Sequence, residues 1–338
     1  MNRIIDYENL SVKIQDWIKS YVEDNNITYL VVGVSGGIDS AVVSTLCAET
    51  GLPTILVGMP INSTPENTRL SDLQISLLTT KYSNVEGCHI DLSPVFESFK
   101  SRKAFDKMFT SELGFANTKS RLRMISLYQI ASSVNGIVIG TGNKVEDFGV
   151  GFYTKYGDGG VDISPIADLY KSEVRELGKL LGVPQEIINA EPTDGLWEDN
   201  RVDETQIGTS YDNLEWVMEY GIKKWEDGLD LTEKESVAIS KYVDFNTKNK
   251  HKMVSIPVFE LKENKISKKT KGIILILLGI SIALFANSSI VEKKNSGYLS
   301  YRSKVWQNTS RGGLPKLFFD ELNFEKYAEF VINFPILF

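Results

Sequence analysis

The sequence contains little of the material from which most metal and hydrolase sites are built. It has two histidines, His89 and His251, and two cysteines, Cys47 and Cys88, in 338 residues. Two histidines exclude a His-based zinc cage and leave almost nothing for a Ser-His-Asp arrangement. The cysteines form no CxxC pair and no extracellular spacing pattern, so we expect reduced, buried thiols in a reducing cytoplasm. Chemistry must therefore come from carboxylates, Lys, Arg and the backbone.

Positively charged residues are fewer than negatively charged ones, and they are unevenly distributed along the chain. The formal net charge is −7, with 24% charged and 42% hydrophobic residues, which is ordinary for a globular protein and argues against a nucleic-acid partner. Residues 262–338 carry 12 Lys/Arg and 6 Asp/Glu, which leaves a net charge of −13 for residues 1–261. We therefore predict a main domain over 1–261 and a different C-terminal piece. The charged N-terminal stretch is typical of an amphipathic helix and has no signal-peptide pattern.

Short apolar runs rich in Val and Ile alternate with helix-length segments. The runs that we predict to be buried parallel strands are 28–34, 54–60, 85–91 and 136–142. The alternation predicts an α/β fold with a Rossmann-like, doubly wound parallel sheet. Later helices are expected at 171–181, 211–220 and 233–245, after an irregular glycine-rich loop at 149–168. Because ligands of such sheets bind beyond the carboxyl ends of strands, the loops after Val34, Pro60 and Thr141 are the candidate site.

The first strand runs into the segment SGGIDS at 35–40. This is not a Walker loop, since both the GxxxxGK[ST] spacing and the Lys are missing. Gly36 and Gly37 permit a tight turn that exposes N–H groups at the start of a helix, where the dipole favours an anion such as pyrophosphate. Ser35 and Ser40 add hydroxyl donors. Asp39 is either a helix cap or a ligand for Mg²⁺ on the phosphates, and this segment alone leaves both interpretations open.

The strand-SGGIDS-helix arrangement resembles the signature loop of the ATP pyrophosphatase superfamily, which has the adenine nucleotide alpha hydrolase type of fold. The stretches TKYGDGGVDISPIADLYKSE, EPTDGLWEDNRVDETQIG and HKMVSIPVFEL are similar to NAD synthetase, and the resemblance covers roughly residues 5–261. It implies a cytoplasmic homodimeric ligase that amidates deamido-NAD with ammonia through an adenylated carboxylate. ATP would be the co-substrate, and AMP and pyrophosphate would be released.

The resemblance also implies a role for particular residues at the ATP site. Asp39 and Glu146 match two magnesium-binding carboxylates, and Lys171 matches a phosphate-contacting Lys that supplies the charge missing from the loop. Asp39 and Lys171 would be catalytic, and Asp162 is our candidate for taking a proton from ammonium. The implied ATP contacts are Gly33, Val34, Ser35, Gly36, Gly37, Ile38, Asp39, Ser40, Thr141, Lys171 and Thr193.

Deamido-NAD carries two phosphates and a carboxylate, so Arg and Lys donors suit it. The residues that match its contacts are Arg121, Lys155, Asp162, His251 and Lys252, with HKM standing where HKR is common. Family members that use glutamine have an amidase domain before the glycine loop, whereas 32 residues precede Gly33 here. We therefore expect direct use of ammonia, with a separate glutaminase subunit as an open alternative.

The C-terminal piece is predicted as a basic linker at 262–271, an uncharged helix at 272–291 and an unassigned tail at 292–338. The helix is either transmembrane or buried, and its apolar length is just sufficient for a bilayer. Because the reaction would need ATP, we expect the catalytic part to be cytoplasmic. Two other functions stay open: a relative that amidates another carboxylate, and a non-catalytic, membrane-tethered nucleotide-binding scaffold.

Overall fold

The computed structural model describes residues 3, 5–103, 105, 108–193, 195–197, 199, 201–261 and 268–291. The chain divides into two compact units, Met1–Pro257 and Val258–Phe338. The first unit holds all of the described strands and every candidate site residue. The second unit is described only for 258–261 and for one helix.

Four parallel strands form the sheet of the first unit. They are β1 (Tyr29–Gly33), β2 (Thr54–Gly58), β3 (Val85–His89) and β4 (Gly136–Ile139). Their order is β3-β2-β1-β4, and all three pairings are parallel, as predicted from the apolar runs. The chain moves outward from β1 to β3 and then crosses back to place β4 on the other side of β1. The carboxyl ends of β1 and β4 therefore flank a topological switch point, where open α/β sheets bind their ligands.

Helices cover both faces of this sheet. The longer helices of the first unit are α1 (Tyr7–Asp24), α2 (Ile38–Glu49), α3 (Pro65–Lys81), α4 (Ser93–Lys100), α5 (Glu112–Ser133), α6 (Lys171–Leu180) and α11 (Glu233–Met253). Four short helices lie between the last two, namely α7 (Gln185–Asn189), α8 (Asp203–Ile207), α9 (Tyr211–Trp216) and α10 (Ile222–Glu226). Two π-helical segments, π1 (Val145–Val150) and π2 (Val217–Gly221), complete the unit.

Alternate residues of β1, β2 and β4 pack into the two halves of the core, one on each face of the sheet. In β1, Leu30 and Val32 pack with α1, α2 and α6, whereas Val31 packs on the opposite face with α4 and α5. Strands that are buried on both faces need continuous apolar runs, which is why VVG and ILVG show no polar alternation. Cys47 lies fully buried in the first half, as predicted, while Cys88 is half-buried.

Close packing between α2 and α6 brings two candidate site residues together. A side-chain carbon on Gly178 would lie 2.8 Å from Ile38 and 3.2 Å from Val42, so only glycine permits this approach without displacement. Ile38 and Lys171 are the first residues of their helices. The close contact therefore holds both helix starts at the same edge of the sheet.

Several predicted boundaries differ from the structure. The helix predicted to end at Phe245 continues to Met253, so His251 and Lys252 lie in its last turn. The helix predicted over 211–220 turns into π2 at Val217. The predicted loop at 149–168 begins inside π1, which ends at Val150 with Gly151 in a left-handed conformation.

The second unit contains the helix α12 (Lys268–Val291), which starts within the predicted linker. No helix in the described ranges is long and apolar enough to cross a membrane, so the transmembrane alternative predicted for 272–291 is not supported. The continuously apolar or small run covers 272–286, and the polar residues Asn287, Ser288 and Ser289 follow it. The described apolar side chains from Ile273 to Ile282 are exposed.

Candidate active site

The loop after β1 forms a tight turn in front of α2. Gly36 has a φ of +90°, and a side-chain carbon there would lie 2.8 Å from the Asn67 carbonyl oxygen, so glycine is required. The Ser40 hydroxyl donates to the Gly37 carbonyl at 3.0 Å and accepts from the Ser35 N–H at 3.1 Å. No side chain caps α2, so its first N–H groups have no side-chain partner at the start of a helix dipole.

Three charged side chains meet at the switch point. The Lys171 ammonium donates to Asp39 Oδ2 at 2.5 Å and to Glu146 Oε1 at 3.0 Å. Its side chain is 4% exposed, against 16% for Asp39 and 17% for Glu146. Lys171 would be unfavourable at a helix start because of the dipole, and the two carboxylates compensate for this. Sequence matching predicted all three as site residues, and the fold brings them into direct contact.

Two further residues hold this triad, and both escaped the sequence analysis. The Asn143 side-chain amide donates to Asp39 Oδ1 at 3.2 Å. The Tyr211 hydroxyl donates to Glu146 Oε1 at 2.6 Å, and the Lys171 ammonium lies 5.0 Å from the centroid of the Tyr211 ring. A buried Tyr with its hydroxyl directed at a carboxylate has no periodic sequence signal, since α9 is more than sixty residues from Glu146. Asn143 lies in the segment GTGNKVE at 140–146, and nothing in that segment indicates where its side chain points.

The triad shifts the pKa of each member. Burial raises the pKa of Asp39, although Lys171 opposes the shift. At Glu146 burial acts in the same direction, but the Lys171 charge and the Tyr211 hydrogen bond outweigh it and lower the pKa. Burial works against the charge of Lys171, and the two carboxylates overcome it and raise the pKa of its ammonium. Burial and the adjacent Glu146 raise the pKa of Tyr211, so this hydroxyl keeps its proton as a donor.

Asp39, in the first turn of α2, and Glu146, in the first turn of π1, offer hard oxygen ligands. In the part of the chain that the structure describes, no group of three or more His, Cys, Asp and Glu side chains is arranged to hold a metal ion. Two carboxylates nevertheless suit Mg²⁺, which is commonly bound by one or two carboxylates together with substrate phosphates. The donor set therefore fits an ion that enters with a nucleotide better than a resident one.

The residues predicted to contact the second substrate form another cluster. Arg121 donates to the Lys155 carbonyl at 3.3 Å, and the Lys155 ammonium donates to the His251 carbonyl at 3.3 Å. Lys252 donates to the Tyr153 carbonyl at 2.7 Å, and the Tyr153 hydroxyl donates to the Lys252 carbonyl in return. The end of α11 is thereby fastened to the TKYGDGG segment of the same chain.

The TKYGDGG segment is also fastened to α5. The Asp158 carboxylate accepts from the Ser120 hydroxyl at 2.6 Å and from the Thr154 N–H at 3.0 Å. The Thr154 hydroxyl donates to Asn117 at 2.7 Å. Burial raises the pKa of Asp158, against these hydrogen bonds. The residue that anchors this segment is therefore Asp158, whereas the sequence analysis singled out Asp162.

Asp162 and Thr193 lie in other surroundings. The Asp162 carboxylate accepts from the Tyr128 hydroxyl at 3.0 Å and from the Val138 N–H at 2.8 Å, beside the outer edge of β4. The Thr193 hydroxyl donates to the Arg201 carbonyl and accepts from the Gly195 N–H, both at 3.2 Å. Thr141 follows β4 and is half-buried.

Four features define the class of protein: the parallel strand order with its switch point, the glycine turn, the exposed start of α2 and the charged triad. The class is a doubly wound α/β protein with an anion-binding ligand site at the strand ends. Comparison with known proteins identifies the family. The sequence model of the family described as NAD synthase matches residues 10–255. The chain belongs to this family, and it is an enzyme of the ligase class.

Relatives agree with this assignment over nearly their whole length. The chain is 36% identical over 253 residues to the NH(3)-dependent NAD(+) synthetase of Finegoldia magna, covering 72% of this chain and 100% of the relative. Among solved structures, the NMN synthetase from Francisella tularensis has 32% identity and a TM-score of 0.66. The NH3-dependent NAD synthetase from Campylobacter jejuni has 27% identity and a TM-score of 0.59. Both alignments cover 76% of this chain and 100% of the other.

The C-terminal piece is similar to a different family. Residues 263–338 match the model described as glutamate-cysteine ligase family 2. No family resemblance was predicted for this piece, and 272–291 was predicted to be separate from 292–338. The match instead runs without a break across both segments.

Proposed function

We propose that this chain joins ammonia to the nicotinate carboxylate of deamido-NAD at the expense of ATP, giving NAD, AMP and pyrophosphate. The observation that carries the proposal is the contact of Lys171 with Asp39 and Glu146 beside the free start of α2. One cation and a set of exposed N–H groups suit the negative charge of a triphosphate. Two carboxylates suit the ion that accompanies it.

In the first step a carboxylate oxygen of deamido-NAD attacks the α-phosphorus of ATP, and the bond to the bridging oxygen breaks. Pyrophosphate leaves, and the carboxylate becomes an acyl-adenylate. The SGGIDS turn at 35–40 and Lys171 would hold the phosphates and stabilise the charge that develops on them. Thr141 and Thr193 are proposed as further ATP contacts on the strength of the family resemblance.

In the second step ammonia attacks the acyl carbon, and AMP leaves with the bonding electrons. The attacking nitrogen then passes a proton to water, so amide formation needs no His base. Direct attack on the carboxylate would have to expel oxide, which is a far poorer leaving group than AMP. This is the reason for adenylation. Ammonium has to lose a proton before it can attack, and we keep Asp162 as the proposed acceptor. Most of the catalytic effect would come from positioning and electrostatics.

Asp39 and Glu146 would hold a magnesium ion that arrives with ATP. When bound, the ion supplies positive charge to the phosphates. For this to occur Lys171 has to exchange its carboxylate partners for phosphate oxygens, and the rotatable bonds of its long side chain permit that change. Lys171 thus serves two purposes: it neutralises the carboxylates before ATP binds and contacts the phosphates afterwards.

The second substrate would contact the cluster around the TKYGDGG segment. Arg121, Lys155, His251 and Lys252 provide positive charge for its phosphates and carboxylate. We also propose that the chain acts as a homodimer, because family members of this kind place the dinucleotide at the subunit interface. Apolar side chains such as Leu113 and Ile125 on α5 are exposed and available for a second copy. Light scattering coupled to gel filtration measures the mass directly.

The deciding experiment supplies deamido-NAD, ATP and Mg²⁺ to the purified chain, with ammonium or glutamine as nitrogen donor. We expect NAD and AMP in equal amounts from ammonium and neither from glutamine. Production from glutamine alone would contradict direct use of ammonia. Absence of NAD with both donors, in a preparation that binds ATP, would overturn the proposed reaction.

A second acceptor is suggested by the likeness to the protein named NMN synthetase. That relative has the higher identity and TM-score of the two structures compared, and the chemistry at the carboxylate would be unchanged. The same assay with nicotinate mononucleotide replacing deamido-NAD decides between the two. We expect the dinucleotide to be preferred, as the ratio of kcat/KM for the two acceptors measures.

A further inference from the structure

We infer that Asn143 is a positioning residue that sets Asp39 against the backbone carrying Glu146. It is fully buried, with 0% of its surface exposed. This inference rests on the proposed function, because the role of Asn143 concerns how the ATP and Mg²⁺ site is assembled.

A single amide group connects the two sides of the site. The Asn143 nitrogen donates to Asp39 Oδ1 at 3.2 Å, in the first turn of α2. The oxygen of the same amide accepts the backbone N–H groups of Val145 at 3.1 Å and Glu146 at 3.2 Å, at the start of π1. Because the amide is planar and of fixed length, it determines how far the two carboxylate-bearing elements lie apart.

This link matters most when Lys171 leaves. In the described structure Lys171 holds Asp39 and Glu146 together by charge. Once its ammonium turns to phosphate, two like charges face each other in a site of low dielectric and repel. Asn143 is neutral and makes its three hydrogen bonds without Lys171. It can therefore keep the carboxylates in place throughout the exchange, as outer-shell groups do at metal sites.

A purely structural role would be capping of π1, and one substitution separates the two roles. In Asn143→Ser the hydroxyl can still accept the N–H groups of Val145 and Glu146, since Ser is a favoured cap. The shorter side chain does not reach Asp39. In Asn143→Ala both contacts are lost. Asn189→Ser, at an exposed position in α7, is the matched control.

The test measures ATP binding by calorimetry, once with Mg²⁺ and once with EDTA, and the unfolding midpoint of each variant of the full chain. For Asn143→Ser we expect affinity for ATP with Mg²⁺ to fall about 10-fold or more. Affinity in EDTA should change by less than about 2-fold, and the midpoint should fall less than that of Asn143→Ala, which loses all three hydrogen bonds. In the amidation assay, the Mg²⁺ concentration for half-maximal rate should rise more than kcat falls.

The inference would be overturned if Asn143→Ser binds ATP with Mg²⁺ as tightly as the wild type while Asn143→Ala loses stability, since that pattern identifies a cap alone. An equal loss with Mg²⁺ and with EDTA would overturn it too. If wild-type chain binds ATP but forms no NAD, only the proposed reaction fails and the Asn143 comparison still holds.

Discussion

At the scale of single residues, the site is a problem of charge balance. One ammonium faces two carboxylates, so the triad carries a net negative charge in a mostly buried position. Removing one member of a buried ion pair costs about 3–5 kcal/mol, because the partner keeps its desolvation penalty. Lys171 therefore has a structural role in addition to the role proposed for it in ATP binding.

Replacing Lys171 by Met tests the balance. We expect the free energy of unfolding at neutral pH to fall by about 3 kcal/mol, because two carboxylates are left facing each other. Without the cation the pKa values of both carboxyls rise, and a raised carboxyl pKa makes stability fall as pH increases through it. The deficit should therefore shrink towards about pH 4, where the carboxyls take up protons. Urea unfolding at both pH values measures this.

Lys179→Met, on the exposed side of the same helix, is the control. Its side chain pairs with Glu176 at the surface, so its loss should cost less than about 1 kcal/mol at either pH. A Lys171→Met protein as stable as this control would contradict the charge-balance argument.

Tyr211→Phe removes one hydroxyl and leaves the ring in place. We expect a loss of about 1.5 kcal/mol at neutral pH, the usual value for a hydrogen bond to a charged group. The hydroxyl helps to lower the pKa of Glu146, and stability from a lowered carboxyl pKa is present above the ordinary value of 4.5 and lost below it. The difference from wild type should therefore disappear in acid. Tyr82→Phe, whose hydroxyl meets Glu49 at 3.2 Å, provides a half-buried comparison.

At the scale of elements, the glycine turn and the helix packing determine where the charges lie. The two glycines between β1 and α2 are not equivalent. Gly36 has a positive φ and backbone atoms of α3 against it, whereas Gly37 has a φ of −87° and room for a side chain. Gly36 and Gly37 are adjacent in the SGGIDS segment, so the sequence alone does not show this difference.

The pair Gly36→Ala and Gly37→Ala measures the difference. Gly36→Ala should lower the free energy of unfolding by about 1–3 kcal/mol, since Ala would be strained at this φ and would collide with the Asn67 carbonyl. Gly37→Ala should change it by less than about 1 kcal/mol. Equal effects of the two variants on stability would show that the turn does not depend on the conformation of Gly36.

Prediction from sequence succeeded where the pattern is local and repeated. β1, β2 and β4 follow from apolar runs, and α2, α3 and α5 follow from helical spacing. β3 was predicted at the right place, but Glu86, Gly87 and His89 are exposed, so the prediction that it is buried is wrong. The π-helical turns were missed because a single inserted residue leaves no periodic trace, although such turns are common at functional sites. Glu146 lies on one of them. The extension of α11 to Met253 was missed because its last turns are polar and solvent-facing.

At the scale of the whole molecule, the chain consists of two compact units with matches to different families. All of the described site residues belong to the first. The C-terminal residues 262–338 have an excess of Lys and Arg over Asp and Glu, whereas residues 1–261 have a net negative charge.

Truncation after Pro257 tests the independence of the first unit. We expect the shortened chain to keep its ATP affinity and the unfolding midpoint of the first unit, because its cores are made of residues before 258. Calorimetric unfolding and ATP binding compare it with the full chain. A lower midpoint, or a loss of ATP binding, would mean that the C-terminal piece supports the first unit.

The sequence by itself determined the strands, the glycine turn and, through the motif match, the identities of Asp39, Glu146 and Lys171. Local geometry needs only neighbouring residues, and a motif keeps its spacing. Tertiary structure alone decided that Lys171 bridges both carboxylates, that Asn143 and Tyr211 hold them, and that Asp158 anchors the TKYGDGG segment. These contacts join residues that are far apart in sequence, and only the parallel strand order and the close packing of α2 on α6 bring them within hydrogen-bonding distance.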